Sequence, residues 1–151
     1  LAEALNRPET GLAAPGIVDA SGRLADHARE LPTPLSVIGR RLGWADDAVP
    51  QSARIQDVPW LAGLFLAARR SRWQELGGFD ERYRLYAEDV EVCLRCRNAG
   101  WRVMRLPEVA AAHHARRESK TNLQRFLWHA AGLARLWFSD TWRQYRQQSQ
   151  P

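Results

Sequence analysis

At 151 residues, 45% hydrophobic and 26% charged, the chain has the size and composition of one globular domain that buries about 70% of its unfolded surface. No apolar run approaches the ~20 residues of a membrane span, and no signal-peptide pattern or low-complexity tract is present. The net charge of +5 is uneven. Residues 1–50 carry 5 basic and 7 acidic groups and the remainder 17 and 10, and 21 of the 22 basic residues are arginine, whose planar fork suits phosphate.

Residues 1–10 read as the end of a helix carrying Ala2 and Leu5 and stopped by Pro8. Residues 11–17 predict a short strand and 19–22 a turn. Residues 23–57, dotted with Pro and Arg, predict a loop with a helical piece around 35–42. The best strand pattern is 58–68, where Trp60, Leu61, Leu64, Phe65 and Leu66 make an apolar run long enough for burial on both faces. A short helix is expected over 70–76, ended by Gly77, and a central helix over 88–98, ended by Gly100. Residues 101–106 and 109–113 read as two strands broken at Pro107. Residues 121–138 form a strongly amphipathic pattern at three- and four-residue steps, and a second helix carrying Trp142 and Tyr145 follows from Asp140. Four arginines near these helices would suit an anionic membrane surface, but packing of the apolar stripe on the domain itself is the preferred reading.

The candidate chemistry gathers between Trp60 and His114. Gly77-Gly78 allows a turn that side chains would forbid, and Glu88, Asp89 and Glu91 then open the central helix. A carboxylate in a first helical turn is stabilised by the free backbone N–H groups, so Asp89 is expected to stay ionised near neutral pH and act as a proton acceptor. A neighbouring carboxylate, Glu88 or Glu91, would raise its pKa somewhat. Cys93 and Cys96 form a lone Cys-x-x-Cys inside the helix, with no second pair to complete a zinc site, and read as small packed hydrophobes in a reducing compartment.

The ordered motifs Val58-Pro59-Trp60-Leu61-Ala62-Gly63, Arg69-Arg70, Gly77-Gly78-Phe79-Asp80-Glu81, Tyr86-Ala87-Glu88-Asp89-Val90-Glu91, Gly100-Trp101-Arg102-Val103, Pro107-Glu108 and His113-His114 resemble the C-terminal half of family 2 inverting glycosyltransferases of the GT-A fold, in the rhamnosyltransferase-like bacterial branch. The resemblance implies an α/β fold: a partial GT-A domain with a small mixed sheet of about four strands flanked by helices, spanning 1–120 as an acceptor-side part, and an amphipathic helical tail over 121–151. It implies glycosyl transfer from a nucleotide-diphospho-sugar to a glycan or lipid-linked acceptor in polysaccharide biosynthesis, in a cytoplasmic protein or one peripheral on the inner face of the cell membrane. Asp89 would be the base with Glu88 beside it, and His113, with His114 in reserve, a ligand for Mn²⁺ or Mg²⁺. Trp60 and Gly63 would line the acceptor site, with a core role for Trp60 left open, and Arg116 and Arg117 would contact phosphate.

One departure is plain: no Asp-x-Asp, the metal motif of the donor half, occurs in the chain. With Leu1 in place of an initiator methionine, the reading is a fragment of a longer protein that is inactive alone and whose exposed edges favour a homodimer. The competing reading is a non-catalytic basic module for anionic membrane or nucleic acid. Against nucleic acid stand the dispersed arginines and the absence of any known nucleic-acid signature.

Overall fold

The computed structural model describes residues 1–19, 21–23, 27–44, 46–50, 52–113 and 123–148. Its framework is a mixed three-stranded sheet in the order β1–β5–β3: β1 is Thr10–Val18, β3 is Gln56–Asp57 and β5 is Arg102–Ala112. β1 and β5 run parallel, and β3 pairs antiparallel with β5. Strand β1 is a run of small apolar residues, as a parallel strand covered on both faces requires, and it is buried from Thr10 to Ile17. A two-stranded ribbon joins β2 (Ala28–Arg29) antiparallel to β4 (Trp60–Leu61).

Side-chain alternation along the sheet divides the core. Leu12, Ala14 and Val103 face the larger cluster, and Ala13, Met104 and Leu106 a smaller one that takes in Ala4 of α1 (Ala2–Leu5). The larger cluster centres on α4 (Glu88–Asn98), which contributes Val90, Val92, Cys93, Leu94 and Cys96. Packed with it are Leu76 of α3 (Arg70–Leu76), Leu133 and Leu136 of α5 (Leu123–Trp137) and Trp142 of α6 (Asp140–Gln148). The tail therefore packs on the domain through its inner stripe, as expected. The helical piece in the 23–57 segment is α2 (Pro34–Arg41), started by Pro34 and by Thr33, whose Oγ1 accepts the Ser36 N–H at 3.1 Å.

The α/β class, the small mixed sheet and its helical flanks agree with the expectation. Two strand readings are corrected. The 58–68 run is not one buried strand: its one strand is Trp60–Leu61, and Leu64 and Phe65 are exposed. The chain bends out after Leu61 to bring Gly63 to α4 and returns at Ala67, which exchanges backbone hydrogen bonds of 2.9 and 2.8 Å with Ala13. Hydrophobicity fixed neither face nor partner there: the segment meets the free edge of β1 only at Ala67. Conversely, 101–106 and 109–113 are not two strands. Pro107 sits within a single β5, where a register shift opposite Pro15 and Gly16 absorbs the missing N–H.

Candidate functional site

The site is built on the lead into α4. Helix α3 stops at Gly77, and Gly77 and Gly78 both take left-handed backbone angles (φ 75° and 71°). Arg95 of α4 clamps this turn, donating to the carbonyls of Leu76 and Gly78, the latter at 2.7 Å. Its guanidinium also pairs with Glu91, one helical turn away and buried, through bonds of 2.7–2.9 Å. Asp80 then closes the next bend, accepting the Arg82 N–H at 3.0 Å, and the Arg82 guanidinium holds its carboxyl below the usual range.

Tyr86 and Ala87, neither of them glycine, enter α4 in the left-handed region (φ 69° and 68°), a strained geometry of roughly 1–3 kcal/mol per residue. Helix α5 holds them there. The Tyr86 ring meets His129 edge to face with centroids 5.0 Å apart, and a Cβ on Gly132 would lie 2.7 Å from the Tyr86 carbonyl oxygen. Only glycine at 132 lets α5 approach this closely.

Asp89 is thereby aimed out of the first turn of α4. Its Oδ2 accepts the Gly63 N–H at 2.9 Å and its Oδ1 the Val90 N–H at 2.9 Å. Burial pushes its pKa up, and the N–H groups of Gly63, Val90 and Asp89 itself oppose the rise. The cause differs from the expected one: desolvation raises Asp89, not a neighbouring carboxylate. A raised carboxylate that still has a free lone pair is suited to accept a proton.

The three carboxylates of the first turn thus have separate fates. Glu91 is a buried structural partner of Arg95 and also accepts from the Thr141 hydroxyl at 3.1 Å. Glu88 lies beside Asp89; burial, then the Asp89 charge, raise its pKa, and its Oε2 is buried with no hydrogen-bond partner among the described residues. Gly63, expected beside an acceptor, is exposed and in contact with Asp89: a Cβ there would lie 3.5 Å from the Asp89 Cβ. Trp60 is buried in the core, its indole N–H donating to the Glu30 carbonyl at 2.9 Å. His113 follows β5, bonded through its N–H to the Val18 carbonyl at 2.9 Å. His114, Arg116 and Arg117 lie outside the described residues.

Cys93 and Cys96 are free and fully buried, and burial pushes both thiols up, that of Cys96 to about 12, so both are inert packing groups. An open cleft of about 600 Å³ lies beside this site and not over it, lined by Tyr83, Glu91, Ala131, Ala134, Arg135 and Phe138 among others. Among the described residues no group of three or more His, Cys, Asp or Glu is placed to hold a metal ion. These residues do not fit a resident Mn²⁺ or Mg²⁺ by themselves. The sequence missed the Gly63 contact, the left-handed pair and the Arg95 clamp; the only local signal was the four-residue spacing of Glu91 and Arg95.

Residues 35–150 match the family described as glycosyl transferase family group 2. The chain is 34% identical over 117 residues to an N-acetylglucosaminyl-diphospho-decaprenol L-rhamnosyltransferase of Mycobacterium tuberculosis, covering 71% of this chain and 38% of that protein. It is 32% identical over 96 residues to the rhamnosyltransferase WbbL of Escherichia coli, covering 62% of this chain and 36% of that protein. The chain thus spans well under half the length of these curated relatives. A solved structure of GalNAc-T7 with UDP, GalNAc and Mn²⁺ aligns with a TM-score of 0.49 at 19% identity, covering 86% of this chain and 27% of that one. With the family match extending over most of its length, this chain belongs to glycosyl transferase family group 2.

Proposed function

We propose that residues 1–120 are the acceptor-side, catalytic-base part of an inverting glycosyltransferase, with 121–151 as a helical tail. The parent protein would move a sugar, by analogy with its relatives a rhamnosyl group, from a nucleotide-diphospho-sugar to a lipid-linked or glycan acceptor, working in the cytoplasm or peripherally on the inner face of the cell membrane. The observation that carries this reading is the presentation of Asp89: a desolvated carboxylate at a helix start, entered through two left-handed residues and steadied by an N–H from a separate segment. In the reaction, the acceptor hydroxyl oxygen bonds to the anomeric carbon while the bond to the diphosphate oxygen breaks on the opposite side. Asp89 takes the hydroxyl proton and the diphosphate leaves with the bonding pair. Glu88 would keep the surroundings of Asp89 anionic, and Arg116 and Arg117 would meet the phosphates. A divalent cation belongs to the resemblance; His113 would be its one ligand from this chain, and the Asp-x-Asp it needs is absent here.

The test is Asp89→Asn in a protein that joins this chain to a donor half. Transfer should fall by about 10²–10⁴-fold with donor binding nearly unchanged. Turnover retained within a few fold would sink the base assignment. The same variant has a pH signature in the isolated chain. Because burial raises the folded-state pKa of Asp89, the neutral acid favours folding and that contribution is lost as pH rises from the ordinary carboxylate value through the folded one. Asp89→Asn should remove that decline, which urea melts across the acid range would detect.

The nucleic-acid reading loses ground, since eight arginines are engaged in ion pairs with the chain's own carboxylates: Arg29, Arg40, Arg72, Arg82, Arg95, Arg97, Arg102 and Arg143.

A further inference from the structure

Residues 84–87 carry the chain from the buried ring of Tyr83 into the first turn of α4, and three of these four meet α5. The Arg84 guanidinium lies 4.9 Å from the centre of the Trp128 ring. The Tyr86 ring meets His129 edge to face, and the Tyr86 carbonyl and the Ala87 methyl group crowd Gly132. Trp128 and His129 lie four and three residues before Gly132, so all three serve one side of their helix. Helix α5 has a firm seat from which to hold this segment. Leu133 and Leu136 are buried in the larger cluster, and the Trp137 indole donates to the Pro32 carbonyl at 2.6 Å.

The grip falls where it governs Asp89. Non-glycine residues stay in the left-handed region only where their surroundings over-determine them, and Tyr86 and Ala87 are two such residues in succession. The Ala87 carbonyl accepts the Glu91 N–H at 2.9 Å, so it begins the hydrogen-bond ladder of α4. Relaxation of the pair to ordinary backbone angles would swing that carbonyl out of line and unwind the first turn. Asp89 lies in that turn, two residues past Ala87, with the Gly63 N–H steadying it from the other side. His129 serves here as an uncharged ring. Burial, and then Arg40 and Arg41 nearby, lower its pKa, so the imidazole is neutral at pH 7.

We propose that His129 and Gly132 are positioning residues for Asp89, which makes α5 a working part of the transfer site and not an appendage to it. Neither residue touches the reacting atoms; both act through Tyr86 and Ala87. For its effect on turnover the proposal rests on the base reading of Asp89, and for its geometry it does not.

The test pairs His129→Ala with His129→Phe, which keeps an uncharged ring against Tyr86. In a protein that joins this chain to a donor half, His129→Ala should lower kcat by about three- to tenfold and leave KM for the nucleotide-diphospho-sugar nearly unchanged. His129→Phe should restore most of that loss. Added to Asp89→Asn, His129→Ala should cost nothing further, because the group it positions is already gone. In the 151-residue chain, the Gly63 amide resonance reports the bond to Asp89; it should move in His129→Ala and keep its place in His129→Phe. A loss of stability alone would lower the folded fraction without moving that amide in the folded state. With the base reading intact, undiminished kcat in His129→Ala overturns the proposal, as does a Phe variant as slow as the Ala one. An unmoved Gly63 amide overturns it whatever the base. Full turnover by Asp89→Asn is the separate outcome that sinks the base reading, and the amide then upholds or overturns the placement by itself.

Discussion

Helices α4 and α5 invert what their compositions lead one to expect. Five of the eleven residues of α4 are charged, yet it is the centre of the core and six of its residues are buried. Ten of the fifteen residues of α5 are apolar, yet only two of them, Leu133 and Leu136, are buried. The difference lies in partners. Three inward charges of α4 have fixed counterparts: Glu91 has Arg95 and Thr141, Arg97 has Asp57 and the carbonyls of Val58 and Pro59, and Asp89 has the Gly63 N–H. Desolvation of these groups is offset by charge-assisted hydrogen bonds. Helix α5 meets the core along one stripe, and Leu123, Phe126 and Leu127 on its other side stay exposed. A buried charge therefore points to internal architecture here, and apolar composition alone does not place a helix in the core.

Three substitutions would break or sharpen that contrast. The largest effect is expected at α4. Glu91→Ala leaves Arg95 partly buried without its carboxylate and loosens the clamp on the Gly77-Gly78 turn, so unfolding free energy should drop by about 3 kcal/mol. A loss below 1 kcal/mol in urea titration would mean that the pair is not what makes α4 a core helix. Next is the one place where α5 touches the strained entry to α4. Gly132→Ala puts a methyl group 2.7 Å from the Tyr86 carbonyl oxygen, and either α5 or the left-handed pair must shift, at roughly 1–3 kcal/mol. Chemical shifts of Tyr86 and Ala87 should move with it; if they stay in place, α5 does not hold that geometry. The smallest effect belongs to the outer stripe. Leu127→Ser should leave stability within about 0.5 kcal/mol, because the side chain is 55% exposed. A larger loss would mean that Leu127 is held in the fold despite its exposure.

Much of the local structure was legible in the sequence because short-range signals set it. Gly77 ends α3 and Pro34 opens α2, and the turns of the tail follow their apolar spacing; these are decisions of backbone geometry within a few residues. The motif order likewise sufficed for the family, since it is a property of the chain and not of its packing. The 58–68 run and Pro107 were misread because whether a segment continues as a strand depends on pairing with distant segments: 58–68 bends away to meet α4 and touches β1 only at Ala67, while a register shift against β1 lets β5 run through Pro107. Tertiary structure alone decided the site. It brought Gly63 across 26 positions to Asp89, gave Glu91 to Arg95 and so took it from the candidate chemistry, buried Trp60 on the Glu30 carbonyl, and replaced a like-charge neighbour by desolvation as the cause of Asp89's raised pKa. Those outcomes depend on distances between segments far apart in the chain and on how much water remains between them, and neither is written in spacing or composition.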